Sequence, residues 1–117
     1  MPQIQKSQID PDIVLLQISG RITLGFECQS VEWAVEELIR DNRKKVVFDL
    51  GGIDYVDSSG IGIIIMCHGK MRSAGGELRV ASLQPRVADL MKITKLDQIM
   101  HFYPTAAAAA ENFDIAQ

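Results

Sequence analysis

The sequence predicts an α/β domain built on a largely parallel or mixed sheet. Stretches rich in β-branched and aliphatic residues alternate with stretches of helical apolar spacing. After the first two strand candidates, the connections are long enough to hold crossover helices, as parallel pairing requires. The 117 residues suffice for one core without disulfide or metal staples, so a single domain over residues 1–117 is expected.

The first run, Gln3 to Ile9, is weak. Asp10-Pro11-Asp12 joins it by a turn to Val14, Leu16 and Ile18, which alternate with Ile13, Leu15 and Gln17. This reads as an antiparallel hairpin with an outer edge strand, ended by Gly20. From Phe26 to Ile39, Val31, Ala34, Val35 and Leu38 recur at helical spacing, with acids early and Arg40 late, as the helix dipole favours. Phe26 and Trp33 project nearly opposite that stripe. Covering the sheet margin is preferred for them over forming a sticky outer face.

Val46 to Leu50 is a short strand. Ile61 to Arg72 is ambiguous, because four isoleucines in five residues favour a strand. Cap chemistry in Asp57-Ser58-Ser59, the length of the segment and the stop at Gly75-Gly76 favour a helix. Ile61, Ile64, Ile65 and His68 would then face the sheet, with Ile63, Met66 and Lys70 pointing away beside Gly62 and Gly69. Leu78 to Ala81 is a further strand. QPRVADLMKIT opens a helix on proline and places Val87, Leu90 and Met91 on one face. Ile99 to Tyr103 is a last strand candidate, and Thr105 caps a helix over Ala106 to Ala110.

Several function classes are disfavoured. Formal net charge is −3, and the one tight basic cluster, Arg40 to Lys45, reads as a solvated helix end and turn, so no nucleic-acid contact is expected. The N-terminus lacks the layout of a signal peptide, and the longest apolar run, IIIMC, is too short to cross a bilayer. The expected location is the cytoplasm. Cys28 and Cys67 are far apart and lack ligand-spaced partners, so they read as buried or half-buried thiols; no metal and no cofactor are expected. Around Ser58 and Ser59 the first glycine of a GxSxG elbow is missing. GIGIIIM has isoleucine where a dinucleotide loop needs its third glycine, and no GxxxxGK[ST] occurs. Asp54 and Asp57 read as loop-solvating carboxylates.

The serine turn itself remains. A Ser58 hydroxyl at or next to a helix N-cap lies near unpaired N–H groups, a location that suits an anion. A phosphate there would bring about −1.5 to −2 charges beside Asp57 and an apolar surface, and would repel an acidic or apolar partner. The alternative is a serine that only starts a helix, and residue chemistry alone leaves both open.

The run VVFDLGGIDYVDSSGIGIIIMCHGKMRSAGGELRVASLQPRVADLMKITKLDQIMHFYPTAAAAAENF, preceded by a hairpin ending in SGRIT, resembles the bacterial anti-sigma-factor antagonist family, the STAS domain. The resemblance spans nearly the whole chain. It implies a mixed sheet of about four to five strands with helices mainly on one side, and no catalytic activity. It further implies Ser58 as the phospho-acceptor of a serine kinase with a histidine-kinase-like ATPase fold that doubles as the anti-sigma factor, and a serine phosphatase that reverses the modification. Unmodified protein would bind the kinase and free a sigma factor. On this reading Asp57 and Ser59 shape the turn, Gly60 and Gly62 allow close approach, and Thr23, Ile61, Ile63 and Met66 complete the partner surface of a monomer or weak homodimer. One departure from the family pattern is Thr23, a neutral residue where many members carry an acid. The second reading is an unphosphorylated scaffold or regulatory subunit of a signalling or transport complex.

Overall fold

The computed structural model describes residues 3–113. In chain order, β1 (Gln3–Asp10) and β2 (Ile13–Ile22) are followed by α1 (Phe26–Arg40), β3 (Lys45–Val56), α2 (Ser58–Ser73) and β4 (Glu77–Ala81). Then come α3 (Pro85–Ile93), a 3-10 turn at Leu96–Gln98, β5 (Phe102–Tyr103) and α4 (Ala106–Ala110). The five strands form one sheet in the order β1-β2-β3-β4-β5; β1 and β2 are antiparallel and the other pairs parallel.

Alternation along the strands sorts the side chains into two layers. Val14, Leu16 and Ile18 of β2 and Val46, Phe48 and Leu50 of β3 face α1, α2 and α3, sharing a core with Val31, Val35, Ile64, Met71, Val87 and Met91. Ile13, Val47 and Ala81 face the opposite way, onto Ala109 of α4 and Phe113. Three helices on one face and one short helix on the other agree with the expected arrangement. Each fully buried aliphatic side chain contributes roughly 1.5–3 kcal/mol, which lets tertiary burial override the β-propensity of the isoleucines in α2.

The strand ends differ from the sequence reading. β2 runs past Gly20, which takes φ 101° where the register with β3 shifts, and β3 is 12 residues long instead of the short Val46–Leu50. Pairing with β2 carries β3 through Gly51-Gly52, where a side chain on Gly52 would lie 2.7 Å from Cβ of Ser19. At the far edge the 3-10 turn occupies part of the chain, so only two of the residues from Ile99 to Tyr103 pair as β5.

Phe26 and Trp33 are 49% and 51% exposed and meet edge-to-face at 6.5 Å between centroids. They form an outer aromatic face, contrary to the preferred cover over the sheet margin, because α1 seats its Val31/Val35/Leu38 stripe squarely on the sheet. Most of the basic cluster is used internally. Arg43 donates to the carbonyl of Pro11 at 3.2 Å, Lys45 pairs with Asp12 at 2.9 Å, and Lys44 donates to the carbonyl of Ala74.

Arg79 is a buried charge on β4. Its guanidinium lies 4.0 Å from the Phe113 ring centroid and donates to the carbonyls of Ala109 (3.0 Å), Glu111 (3.0 Å) and Asn112 (3.3 Å), while Nε donates to Glu77 at 2.7 Å. A five-residue helix is too short to be stable alone. The Thr105 hydroxyl, accepting from the N–H of Ala108 at 3.0 Å, and Arg79 together hold α4 on the sheet.

Candidate functional site

Register builds the site. Ile22 pairs with Val56 at the matched ends of β2 and β3, so the chain leaves both strands side by side and brings Thr23 next to Asp57. Against the expectation for its carboxylate, Asp57 does not simply solvate the loop; it is the N-cap of α2. Its Oδ1 accepts from the N–H of Gly60 at 2.8 Å, and its Oδ2 accepts from the N–H of Leu24 at 3.1 Å. One carboxylate thereby ties the start of α2 to the β2–α1 loop. The N–H of Gly60, above all, holds the Asp57 carboxyl below its ordinary range, with that of Leu24 adding to the effect.

A lowered carboxyl pKa in the fold means that this stabilisation is complete above the unfolded value, about 3.9, and is lost as pH falls through the lower folded value. The protection of the Gly60 and Leu24 amides, measured relative to their intrinsic exchange rates, is accordingly expected to fall on acidification below about pH 4. Asp57→Asn should keep protection at Gly60, since asparagine also caps, while flattening the pH profile. An unchanged profile in the variant would assign the acid sensitivity elsewhere.

Ser58 is the first residue of α2 and is exposed; Ser59 is half-buried. Four and eight residues on, Gly62 and Met66 continue the Ser58 face, with Met66 45% exposed and open space around Gly62. Leu24 (76% exposed) and the Phe26–Trp33 pair of α1 add further exposed apolar surface. Thr23 is half-buried and its hydroxyl donates to Oε1 of Glu27 at 2.5 Å.

Three of the sequence-predicted site residues are not at the surface. Gly60 is buried because a side chain there would run into the carbonyl oxygen of Ile22 and lie 2.7 Å from Cγ1 of Val56; the close approach it permits is to β2 and β3. Ile61 is buried in the core. Ile63 is only 6% exposed, against the expectation that it points outward with Met66. The cause is α1, which lies along this flank of α2: Lys70 pairs with Glu32 at 2.8 Å and Glu36 at 2.7 Å, one to two turns beyond Ile63 and Cys67. Projection of a single helix does not contain its neighbour. Cys67 is buried there, and burial pushes its thiol up to about 12; burial also raises the half-buried Cys28 thiol.

Leu24 and Glu27 were missed by sequence reasoning. The four-residue spacing of Thr23 and Glu27 at a helix start was the available signal; for the Leu24 N–H there was none, since it depends on strand register. His68 lies ten residues beyond Ser58, about 15 Å along the helix, so no nucleophile–base pair forms with it. Among the described residues no group of three His, Cys, Asp or Glu side chains is placed to hold a metal, and no helix is long and apolar enough to cross a membrane.

Comparison with known proteins follows this geometry. The chain is 26% identical over 104 residues to a Thermotoga neapolitana protein named as a candidate anti-sigma factor antagonist, covering 89% of this chain and 92% of that one. The crystal structure of a Thermotoga maritima protein described in the same terms superposes with a TM-score of 0.85 at 22% identity, over 94% of this chain and 93% of the other. The Bacillus cell fate determinant SpoIIAA, in its phosphorylated form, superposes with a TM-score of 0.72 at 13% identity, over 96% and 100% of the two chains. The STAS domain family model matches residues 5–109, and with the five-stranded mixed sheet and its helices this places the chain in the STAS domain family.

Proposed function

We propose that this protein is an anti-sigma-factor antagonist whose partner binding is switched by phosphorylation of Ser58. The observation that carries the reading is the exposure of Ser58 on the first turn of α2, beside half-buried Ser59. A kinase must enclose its acceptor hydroxyl, and Ser58 is the accessible one of the two. The helix start can accommodate an anion, whereas the exposed Met66 and the adjacent Asp57 disfavour a partner's approach once about −1.5 to −2 charges are added.

The partner is an anti-sigma factor that is also the serine kinase, with a histidine-kinase-like ATPase fold, and a serine phosphatase resets the switch. The protein contributes no catalysis of its own and acts in the cytoplasm. Names of relatives support the partner class, and the phosphorylated form of SpoIIAA supports modification within this fold. Residue 23 is neutral, but Thr23 holds the Glu27 carboxylate, so a negative group still stands beside this loop, on the first turn of α1.

Binding of a cognate anti-sigma kinase, measured by calorimetry, is expected to be retained in Ser58→Ala and weakened at least about tenfold in Ser58→Asp. Mass spectrometry after incubation with ATP and kinase should find one phosphate, absent in Ser58→Ala. Undiminished incorporation in that variant defeats the assignment. Equal binding by both variants would favour the constitutive scaffold, for which the exposed Phe26–Trp33 pair offers a contact surface independent of phosphate.

A further inference from the structure

At the opposite end of α2 from Ser58 an open cleft of about 510 Å³ lies between α2 and the β5 edge of the sheet, lined by His68, Arg72, Glu77, Leu78, Ile99 and His101 among others. Its size falls in the range of small-molecule sites. His68 is only 8% exposed and has no hydrogen-bond partner among the described residues. No fully buried side-chain nitrogen or oxygen among those residues is unpaired, so the unpaired ring nitrogens of His68 open onto the cleft. Burial, reinforced by the charge of Arg72, lowers the His68 pKa and keeps the ring neutral, with one donor and one acceptor.

The strand edge supplies a second polar element. Backbone groups of β4 point alternately to its two neighbours: Glu77 N–H reaches Lys44, whereas Val80 and Ser82 N–H reach His101 and Tyr103 on the β5 side. Leu78 has the direction of Val80, and β5 begins only at Phe102, so its backbone N–H and C=O point toward the cleft wall, with the residue itself only 1% exposed. The polar side chains around it are unequal in availability. Glu77 is neutralised by Arg79, and Arg79 is spent on Glu77 and three carbonyls, while Arg72 and His101 are exposed.

We propose that this cleft binds a small oxyanion-bearing metabolite, its phosphate or carboxylate held by Arg72 and His101 and its planar hydrogen-bonding group read by His68, with Leu78 forming the wall beside it. The site is separate from the Ser58 surface and does not depend on the switch. Titration of the ¹⁵N-labelled full chain with adenosine monophosphate, orotate and inorganic phosphate tests it, the first two distinguishing phosphate from carboxylate on a nucleobase. Saturable shifts of the Leu78 amide and His68 imidazole are expected with adenosine monophosphate or orotate, and weaker ones with inorganic phosphate. Arg72→Gln, at an exposed position, should weaken the better ligand about tenfold, and Ser58→Ala should leave it unchanged. Absence of saturable shifts, shifts centred on the first turn of α2, equal binding of inorganic phosphate, or unaltered affinity in a natively folded Arg72→Gln would each overturn the proposal.

Discussion

Gly60→Ala is expected to lower the unfolding free energy by about 1–3 kcal/mol, the usual cost of forcing a group into a packed site. The added carbon meets the Ile22 carbonyl oxygen and Cγ1 of Val56, both held by the paired ends of β2 and β3, so the start of α2 must move instead. That motion would strain the Asp57–Gly60 and Asp57–Leu24 hydrogen bonds and displace Ser58 with them. Helix propensity alone would give the opposite sign, since alanine is favoured over glycine by about 1 kcal/mol in a helix interior. Gly62 supplies the control: nothing lies within 4 Å of a carbon added there, so Gly62→Ala should stabilise by up to about 1 kcal/mol. Urea denaturation of the two variants at constant m-value measures both. Equal behaviour would show that the clash at Gly60 is relieved without cost.

Arg79→Met is expected to destabilise the protein by about 3 kcal/mol, with the loss concentrated in α4. Methionine preserves much of the aliphatic stem but leaves Glu77 without its partner and the carbonyls of Ala109, Glu111 and Asn112 without their common donor. Glu111 and Asn112 are exposed and can return to water if the segment lifts; Ala109 is buried and cannot without leaving the sheet. The cheapest response is undocking of α4, which uncovers Ile13, Val47 and Ala81. Hydrogen exchange should therefore quicken first at the amides of Ala108 and Ala109, before the core strands. Arg79→Lys should recover only part of the loss, because an ammonium on a flexible stem does not match a planar fork reaching three carbonyls. Uniform acceleration across the sheet would refute the local nature of this latch.

The elements with strong periodicity were legible. α1 and α3 show apolar stripes at helical spacing, β2 alternates, and Thr105 before five alanines marks α4. The ambiguous isoleucine run resolved through its length and its flanks, since cap chemistry in Asp57-Ser58-Ser59 and a diglycine stop carry information that the run lacks. Strand lengths were not legible. β3 continues through two glycines because its pairing with β2 shifts register past Gly51 and resumes at Gly52, and β5 is cut short by a turn, neither of which local propensity encodes.

The order of elements, the class of sheet, cap chemistry within Asp57-Ser58-Ser59 and a serine at the head of α2 were determined by the sequence alone, because each depends on residues within a few positions of one another. That Asp57 is the cap was decided by the fold. Which residues form the surface around Ser58 was decided by the tertiary structure. Ile63 is buried by α1, Gly60 is enclosed by the ends of two strands, and the Asp57 carboxylate reaches Leu24, 33 residues away, only because β2 and β3 end in register. Burial is a property of what packs against a side chain, and that neighbour is distant in the chain.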